Sequence, residues 1–399
     1  MNAKGAFRPL DGVRIVEFST SIAGPVATMI LAQLGADVVK VEAPEGDDAR
    51  GWPPQVGDRS VVFRNMNVGK RGVVIDLKNP QGVEVALAIT RSATVVLQTM
   101  RPGVADRIGI GQADVRARNP DVIYFDMNAF GNGPLGSAMP GYDPMVQAYT
   151  GIMEMTGHEG SPPTRCAPSL IDLGTGQWMA MGVLAAVLAK ERGQKVRSLE
   201  TALVDTGFSV VCYQATSALM TGERPPKAGS GNPIAAPYQC YHASDGQFLL
   251  AAANQKLWQR VLKVLDTQEL ADDPRFATVA GRSKNRAELE AELNARFARS
   301  TVDDWVARLS AAGAPCTRVY GLEQAVVSDI ARERRTFAES DDVPLVRLPW
   351  LVDGEPIPWA TPAPVLGQHT REVLRETGFS DERIDALVAS GAVREWAAK

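Results

Sequence analysis

The sequence predicts an α/β fold in which a doubly wound parallel sheet is followed by a smaller α/β domain. Three observations support this fold class. β-rich runs alternate with helical segments through the first 150 residues, glycine and proline stand where those helices should begin or end, and a hairpin signal follows residue 230. At ~150 residues per domain, a chain of 399 residues is long enough for two or three domains.

The first βαβ unit occupies residues 13–42. Val13–Phe18 is β-rich, the loop Ser19–Gly24 follows it, and Pro25 stands at the predicted first position of a helix. Gly35 ends that helix, and Asp37–Glu42 is the second strand. Because a short helical crossover joins the two strands, they are expected to be parallel neighbours.

The alternation of strand and helix continues as far as residue 150. Further strands are predicted at Val73–Leu77, Thr94–Thr99 and Val122–Met127, and the pairs Asn79-Pro80 and Asp143-Pro144 are each predicted to cap a helix. Repeated units of this kind place helices on both faces of a sheet, and ligands bind beyond the carboxyl ends of its strands. The residues that follow these strands are therefore candidate site residues.

The rest of the chain is more helical. Long helical stretches are predicted from about residue 172 to Arg192 and from Glu200 to Gly222, before a turn-rich segment at 223–233. The remaining predicted elements are strands Tyr238–His242 and Phe248–Ala252 around the turn Asp245-Gly246, helices Gln255–Val264, Arg286–Ala298 and Thr301–Ala312, strand Thr317–Tyr320, and helices Arg371–Thr377 and Asp381–Ala389. We accordingly expect a large Rossmann-like domain at 1–200, a linker helix at 201–224, a small α/β domain at 225–325 and a C-terminal segment at 326–399 that returns to the large domain.

Composition limits the classes of function. The formal net charge of −4 gives the chain no overall attraction to nucleic acid or to an anionic membrane. Four widely spaced cysteines and three histidines do not suit a zinc site or a histidine-based triad, so no metal is expected. The N-terminus lacks a secretory signal, and no stretch supplies the ~20 apolar residues of a membrane span. We expect a soluble, cytoplasmic protein with reduced cysteines in its core.

Two common phosphate-binding motifs are absent from the sequence. A single glycine follows the first strand, where a dinucleotide site needs G-x-G-x-x-G, and the Walker A pattern does not occur. The loop Ser19–Ser21 could instead hold a phosphate or a ribose, or it could cap the following helix. Basic residues at strand ends are candidates for phosphate recognition, with solvated surface as the alternative: Lys40, Lys78, Arg101 and Arg107.

Asp172 is the candidate nucleophile. It stands at the start of the long helix beside Gly174 and Gly176, where free N–H groups and the helix dipole favour an ionised carboxylate. Such a carboxylate can attack an activated acyl group, and ordinary helix capping is the alternative role. No serine or cysteine is paired with a histidine at a recognisable spacing, and His369 is interpreted as a structural cap.

Many segments, in order along nearly the whole chain, resemble family III CoA-transferases, the formyl-CoA and carnitine CoA-transferase group. The matching segments are Pro9–Phe18 (PLDGVRIVEF), Ala23–Pro25, Leu34–Glu42 (LGADVVKVE), Gly69–Arg71, Ile75–Lys78, Met100–Gly103, Asp106–Gly109, Asn119-Pro120, Gly141–Asp143, Gln147-Ala148, Gly193-Gln194 and Leu366–Thr370 (LGQHT).

The resemblance implies covalent catalysis by an aspartate. In that family the aspartate attacks an acyl-CoA thioester to give a mixed anhydride, CoA returns to form an aspartyl-CoA thioester, and the acceptor carboxylate attacks that thioester. Asp172 falls on this position. The chain is therefore expected to move CoA from a donor such as succinyl- or formyl-CoA to a carboxylic acid, with no cofactor beyond CoA and as an interlocked homodimer or part of a heteromer.

The resemblance also implies the CoA contacts. Carried over by position, they are Ile22, Ala23, Ile75, Asp76, Leu77, Lys78, Thr99, Met100, Arg101, Arg107, Pro140, Gly141, Tyr142 and Asp143. Lys78 and Arg107 would bind phosphates or the nucleotide, and Asp143 would lie near the thioester. The segment Gly229-Ser230-Gly231 corresponds to the glycine loop of the family.

The chain departs from the family pattern at four places. Ala43 stands where the formyl-CoA enzymes carry an arginine for adenine, and Thr20 replaces a histidine there. The glycine loop is thinner, and the turn Lys190–Gln194 is shorter. These departures concern how the nucleotide is held and how intermediates are shielded.

Two other functions stay open. The related 2-methylacyl-CoA racemases use a histidine with an aspartate, and this chain has Tyr142 in place of that histidine. A phenol ionises near pH ~10, so it is a poor base at neutral pH and this residue favours a transferase. A non-catalytic CoA-binding subunit of a heteromeric transferase would not need Asp172.

The acceptor acid is not identified by the sequence. Three arginines could bind the second carboxylate of a dicarboxylic acid or could form salt bridges: Arg50, Arg64 and Arg71.

Overall fold

A computed structural model of the chain describes residues 7–340, 343–358 and 361–396. The strands are β1 (Arg14–Phe18), β2 (Asp37–Glu42), β3 (Gln55–Val56), β4 (Arg59–Ser60), β5 (Arg71–Ile75), β6 (Val95–Gln98), β7 (Ile123–Asn128), β8 (Ser198–Ala202), β9 (Tyr238–His242), β10 (Gln247–Ala251), β11 (Cys316–Arg318), β12 (Phe337–Ser340), β13 (Val343–Val346), β14 (Leu351–Val352), β15 (Glu355–Pro356) and β16 (Val393–Arg394). The helices are α1 (Ala23–Gln33), α2 (Val61–Asn67), α3 (Pro80–Thr90), α4 (Val104–Ile108), α5 (Gln112–Arg118), α6 (Asp143–Tyr149), α7 (Ile152–Met155), α8 (Leu170–Glu191), α9 (Leu203–Val210), α10 (Cys212–Thr221), α11 (Gln255–Leu265), α12 (Glu269–Asp272), α13 (Val279–Lys284), α14 (Arg286–Phe297), α15 (Val302–Ala311), α16 (Leu322–Ala325), α17 (Asp329–Glu333), α18 (Thr370–Glu376) and α19 (Asp381–Ala389).

The predicted βαβ unit at the start of the chain is confirmed. Val16 of β1 pairs in parallel with Val39 of β2, and α1 forms the crossover between the two strands. Gly35 follows α1 with a φ of +105°, a left-handed conformation that glycine adopts without strain. The helix begins at Ala23, two residues before the predicted start, so Pro25 occupies its third position.

The first compact unit comprises the residues up to 150, 167–212 and those from 330 on. Within its described residues, seven strands form one sheet in the order β16-β5-β2-β1-β6-β7-β8. All neighbours are parallel except β16, which runs antiparallel to β5. The α/β class with a large, mainly parallel sheet is thereby confirmed. The chain runs from β1 to β2 and β5 on one side and then returns to add β6 and β7 on the other side. The topological switch point, where the strand order reverses, therefore lies between β1 and β6.

Helices cover both faces of this sheet. Strand residues such as Val16, Val39 and Val96 pack with α3, α18 and α19 in one buried apolar cluster. On the opposite face α1 contacts β1 and β2, and α8 contacts α1 and β8. The two C-terminal helices thus pack on the large sheet, as the sequence predicts, and burying each such valine stabilises the fold by roughly 1.5–3 kcal/mol.

The predicted helix from Glu200 to Gly222 is confirmed over most of its length, but its first residues are a strand and the helix is broken once. The segment begins with β8, which pairs in parallel with β7, and continues as α9 and α10 with a break at Val211. Helical propensity is a weak signal, and pairing with the edge of an existing sheet overrides it here.

The second compact unit comprises residues 151–166 and 213–329. It contains the antiparallel sheet β11-β10-β9, with His242 paired to Gln247 across the predicted hairpin. Trp258, Phe248 and Phe297 form the centre of its buried core. The predicted hairpin and the three helices that follow it are confirmed within one to two residues.

The four cysteines are not core residues, contrary to expectation. Cys212 is exposed, the other three are half-buried, and none of the four forms a disulfide in the described residues. Helix α8 is long and apolar enough, by length and composition alone, to cross a membrane. In the structure it packs closely on α1 through Gly176, as the core helix of a layered α/β fold does.

Candidate active site

A cleft of about 240 Å³ lies at the switch point of the large sheet. Its walls come from the segments that follow β1, β6 and β7, from the loop before α6, and from the first turn of α8. This is the place where a doubly wound sheet binds its ligands. The lining residues are Thr20, Ser21, Ile22, Ala23, Asp48, Trp52, Thr99, Met100, Arg101, Pro102, Met127, Asn128, Ala129, Gly136, Met139, Pro140, Gly141, Tyr142, Asp172 and Leu203.

Asp172 lies in the cleft but does not cap its helix. It is the third residue of α8, whose N-cap is Ser169, and the Ser169 side chain makes no capping hydrogen bond. The buried Asp143 carboxylate caps α8 instead: its Oδ2 accepts the N–H groups of Ile171 at 2.8 Å and Asp172 at 3.2 Å. The capping role considered for Asp172 is therefore filled by a residue 29 positions earlier in the chain.

Asp143 is placed differently from its prediction. We expected the pair Asp143-Pro144 to cap the helix that it begins, but Asp143 is the first residue of α6 and Tyr142 is the N-cap. The other oxygen of Asp143 accepts a hydrogen bond from Gln147 at 2.6 Å. A buried carboxylate with three donors is held in one orientation, and it presents its charge to Asp172.

The Asp172 carboxylate itself accepts no hydrogen bond within the described part of the chain. Burial of the side chain, with a further contribution from the charge of Asp143, raises its pKa from 3.8 to about 7. A carboxylate that lacks hydrogen-bond donors and has a raised pKa is a stronger base and a better nucleophile than one in water. The site therefore favours acyl chemistry at this residue.

Close packing of two helices determines where Asp172 lies. Gly176 is one turn after Asp172 on the same face of α8, and a Cβ atom at Gly176 would stand 2.7 Å from the carbonyl oxygen of Ala23. Gly24 is equally close to Ser19 and Thr99. These glycines allow the N-terminal turns of α1 and α8 to meet beside the cleft.

The structure brings together eleven of the candidate site residues. They line the cleft: Thr20 and Ser21 of the hydroxyl loop, with Ile22, Ala23, Thr99, Met100, Arg101, Pro140, Gly141, Tyr142 and Asp172.

The other predicted CoA contacts lie along the same edge of the sheet, outside the cleft. Ile75 ends β5, and Asp76 Oδ1 accepts the N–H of Lys78 in the turn that follows. Arg107 belongs to α4, and Val83 of α3 packs against Gly109 just after α4. In the described residues, the exposed side chains of Lys78, Arg101 and Arg107 form no ion pair, so these cations are available to phosphates.

One basic residue of the predicted set is misplaced. Lys40 does not line the crevice, because it lies in the middle of β2 and is completely buried, with Glu17 and Asp47 as partners. The three arginines considered for a dicarboxylic acceptor are also engaged elsewhere. Arg50 pairs with Glu42, Arg71 with Asp37, and the buried Arg64 donates to the carbonyl of Ser340.

The glycine loop lies in the second compact unit. Gly229 has a φ of +57° and donates to the carbonyl of Gly157 at 2.9 Å, and Ser230 Oγ accepts the N–H of Cys240. A Cβ at Gly229 would collide with the ring of His158. The loop is thus held within its own unit by one backbone hydrogen bond and one hydrogen bond to the Ser230 hydroxyl.

Several residues that line the cleft were not among the predicted site residues. Met127 and Asn128 end β7, so the rule that ligands bind at carboxyl ends of strands would have found them. Asp48 and Trp52 enter through a 3₁₀ turn at Asp48–Gly51, which carries no recognisable sequence signal. His369 is structural, as expected, although its Nδ1 accepts the N–H of Gly72 rather than capping its own helix.

The fold and the cleft define an α/β enzyme with a carboxylate poised at the switch point of its sheet. The model of CoA-transferase family III matches residues 10–370, and the chain belongs to this family and is a CoA-transferase. It is 30% identical over 401 residues to the succinyl-CoA:glutarate CoA-transferase of Mus musculus, covering 98% of this chain and 91% of the relative. It is 32% identical over 372 residues to the acetyl-CoA:oxalate CoA-transferase of Acetobacter aceti, covering 92% and 95%. A crystal structure of a Mycobacterium tuberculosis protein superimposes with a TM-score of 0.84 at 31% identity, covering 92% of this chain and 99% of that one.

Proposed function

We propose that this enzyme transfers coenzyme A from an acyl-CoA to a carboxylic acid through covalent intermediates on Asp172. One observation carries the proposal: a desolvated carboxylate with a raised pKa, to which no group of the described residues donates a hydrogen bond, faces the cleft of a CoA-transferase fold. The donor and acceptor classes follow the relatives, which are named for succinyl-CoA or acetyl-CoA and for glutarate or oxalate.

The chemistry balances without water or a redox partner. Asp172 attacks the thioester carbonyl, the C–S bond breaks, and a mixed anhydride and CoA thiolate form. The thiolate then attacks the aspartyl carbonyl, releases the donor acid and leaves an aspartyl-CoA thioester. The acceptor carboxylate then attacks the aspartyl carbonyl of that thioester, which releases CoA thiolate and forms a second mixed anhydride, now between Asp172 and the acceptor. The thiolate finally attacks the acceptor's acyl carbonyl in this anhydride, which gives the new acyl-CoA and frees the Asp172 carboxylate. The cycle needs no cofactor beyond CoA.

The surrounding residues take supporting roles in this proposal. Asp143 holds the first turn of α8 and keeps the Asp172 carboxylate basic through its charge. Lys78, Arg101 and Arg107, which form no ion pair with any described residue, provide cations along one edge of the sheet for the phosphates of CoA. Met100, Tyr142 and the backbone of Ile22 and Ala23 form the walls against which the pantetheine arm would lie.

A panel of acyl-CoA donors and carboxylic acids, followed by mass spectrometry of the CoA products, tests the activity. The donors succinyl-CoA and acetyl-CoA with glutarate and oxalate are the first pairs, with formyl-CoA added. Transfer with a defined pair supports the proposal, and hydrolysis alone in every pair contradicts it.

Hydroxylamine tests the covalent step separately. Both an anhydride and a thioester on Asp172 react with hydroxylamine to leave a hydroxamate on the peptide that contains this residue. We expect labelling that depends on acyl-CoA and inactivates the enzyme. A label on another residue, or full activity after the treatment, would contradict the assignment of the nucleophile.

An α-proton exchange assay distinguishes the racemase alternative. A racemase acting on a 2-methylacyl-CoA in D₂O would incorporate deuterium at the α-carbon without moving CoA. The cleft offers Tyr142 where the resemblance places the histidine of the racemases. We therefore expect CoA transfer and no deuterium incorporation.

We also propose a homodimer. In the first compact unit, α8 and α9 expose large apolar side chains that nothing covers within the described residues: Trp178, Met181, Leu188, Phe208 and Val210. A second copy of the chain covers such a surface in the interlocked topology that the family resemblance implies. Activity of the purified chain alone would exclude an obligate heteromer. The cytoplasmic location stays a prediction from the sequence.

A further inference from the structure

Beneath the cleft lies a group of fully buried charged side chains that the chemistry does not use. Glu17, Lys40, Asp47 and Lys70 are each at most 2% exposed, and we call them the buried ion network. Lys40 Nζ lies 3.3 Å from Glu17 Oε1 and 2.9 Å from Asp47 Oδ2, and Lys70 Nζ lies 2.9 Å from Glu17 Oε2. Because the two positive and two negative charges alternate, each ion is compensated within the network.

Desolvating four ions costs several kcal/mol each, and an apolar core of the same volume would be at least as stable. The network is therefore poorly explained by stability alone. The charges of Lys70 and Lys40 overcome the effect of burial and lower the pKa of Glu17 to about 2, so this carboxylate stays ionised.

The polar contacts of the network reach the backbone of the cleft wall. Lys40 Nζ donates to the carbonyl of Ser19 at 2.8 Å, and Lys70 Nζ donates to the carbonyl of Pro25 in the first turn of α1 at 2.9 Å. The hydroxyl groups of Ser19 and Thr28 both donate to Glu17. These contacts hold both ends of the segment 19–25, whose residues 20–23 line the cleft.

Asp47 links this segment to a second wall of the cleft. Its Oδ1 accepts the N–H of Ser21 and the N–H of Ala49, both at 3.0 Å. Ser21 has a φ of +69°, a conformation that non-glycine residues adopt at a cost, so an external contact is needed to keep it there. Ala49 lies in the 3₁₀ turn Asp48–Gly51, and its first residue Asp48 and the following Trp52 also line the cleft.

We propose that the buried ion network is the positioning device of the acyl-CoA site, with Asp47 as the residue that locks the segments 19–23 and 47–52 together. The inference rests on the proposed function, because it takes the cleft to be the acyl-CoA site. Asp47 is a positioning residue: it lies behind the wall, and its effect on the ligand passes through the N–H groups of Ser21 and Ala49.

The test compares Asp47→Ala and Asp47→Asn with a matched control. The alanine removes both acceptor oxygens and the charge, whereas the asparagine keeps an oxygen for the two N–H groups and replaces the charged oxygen facing Lys40 by a neutral NH2 group. The control is Asp37→Ala. Asp37 is the first residue of β2 and lies outside the cleft. It also pairs with two basic residues, Arg14 and Arg71.

Binding of free coenzyme A is measured by isothermal titration calorimetry, with circular dichroism to confirm folding. We expect the Kd to rise at least about tenfold in Asp47→Ala and about threefold in Asp47→Asn, because the asparagine still accepts both N–H groups. In Asp37→Ala we expect a Kd within twofold of the wild type. Hydrogen exchange should show faster exchange of residues 19–23 in both Asp47 variants only.

Two results would overturn the inference. One is a Kd within twofold of the wild type for the Asp47 variants, and the other is an equal loss in Asp37→Ala. If Asp47→Ala does not fold, the Kd and the exchange rates of Asp47→Asn decide alone. Hydroxylamine labelling of Asp172 in the wild type tests the proposed function independently. If Asp172 is labelled but the Asp47 variants bind CoA as tightly as the wild type, only the positioning role is refuted.

Discussion

Asp172→Asn should abolish CoA transfer and at the same time stabilise the folded protein. The wild-type carboxyl has a pKa of about 7 when folded and about 3.8 when unfolded. Folding therefore favours the protonated carboxyl, so this contribution to stability is complete below pH 3.8 and is lost as the pH rises through 7. The difference corresponds to roughly 4 kcal/mol above pH 7. Because solvent reaches part of the side chain and weakens the effect, we expect Asp172→Asn to raise the free energy of unfolding above pH 7 by about 2–4 kcal/mol.

The asparagine variant has no carboxyl to ionise, so it does not lose this stability at high pH. Urea denaturation of both proteins at pH 5, 6, 7 and 8 should show an advantage for Asp172→Asn that grows with pH and levels off above about 7. Turnover, measured with a substrate pair from the panel, should be undetectable. The amide keeps the size of the side chain but cannot attack a thioester.

Asp114→Asn is the matched control for this experiment. Asp114 is also the third residue of a helix, α5, but it accepts the N–H of Gly111 in an ordinary capping contact. Its amide variant should be active and slightly less stable than the wild type, by ~0.5–1 kcal/mol. Transfer by Asp172→Asn at a rate near that of the wild type, or a lower stability at pH 8, would refute the reasoning.

Three further predictions follow from the same site. The kcat/KM of the wild type should rise about tenfold per pH unit up to about pH 7 and then stay level, because Asp172 must be ionised to attack; a profile that is flat down to pH 5 would contradict this. Lys78→Ala and Arg107→Ala should each weaken CoA binding about ten- to a hundredfold, measured by calorimetry, whereas Arg375→Ala, which removes an exposed pairing with Asp381, should not. Light scattering at low micromolar concentration should give about twice the chain mass of 42.8 kDa, and a stable, active monomer would exclude the dimer.

Much of the large sheet could be predicted from local patterns. β1, β2 and α1 follow from β-rich runs, from the crossover length and from Gly35, all of which act over a few residues. The segment of β8 could not be predicted, because only the edge of β7 makes Ser198–Ala202 a strand. Its own residues do not alternate clearly between apolar and polar, so tertiary pairing decides its conformation.

The candidate site also has a part that local sequence predicts and a part that depends on tertiary contacts. Local sequence patterns place Asp172 at the start of a long helix with small neighbours, and the family resemblance predicts a role for that aspartate. The environment of Asp172 depends on contacts between distant segments. Asp143 takes over the capping of α8 from 29 residues away, and burial raises the pKa of the Asp172 carboxyl, to which no group in the described part of the chain donates a hydrogen bond.

Lys40 shows why this division exists. Its position near the end of a predicted strand predicts an exposed side chain that binds phosphate. The alternation of side chains in β2 instead points the lysine inward, against Glu17 and Asp47. Helix starts, strand periods and turns depend on neighbours within a few residues, so a single sequence reports them. Desolvation and charge pairing depend on which distant segments meet, and only the folded chain brings those segments together.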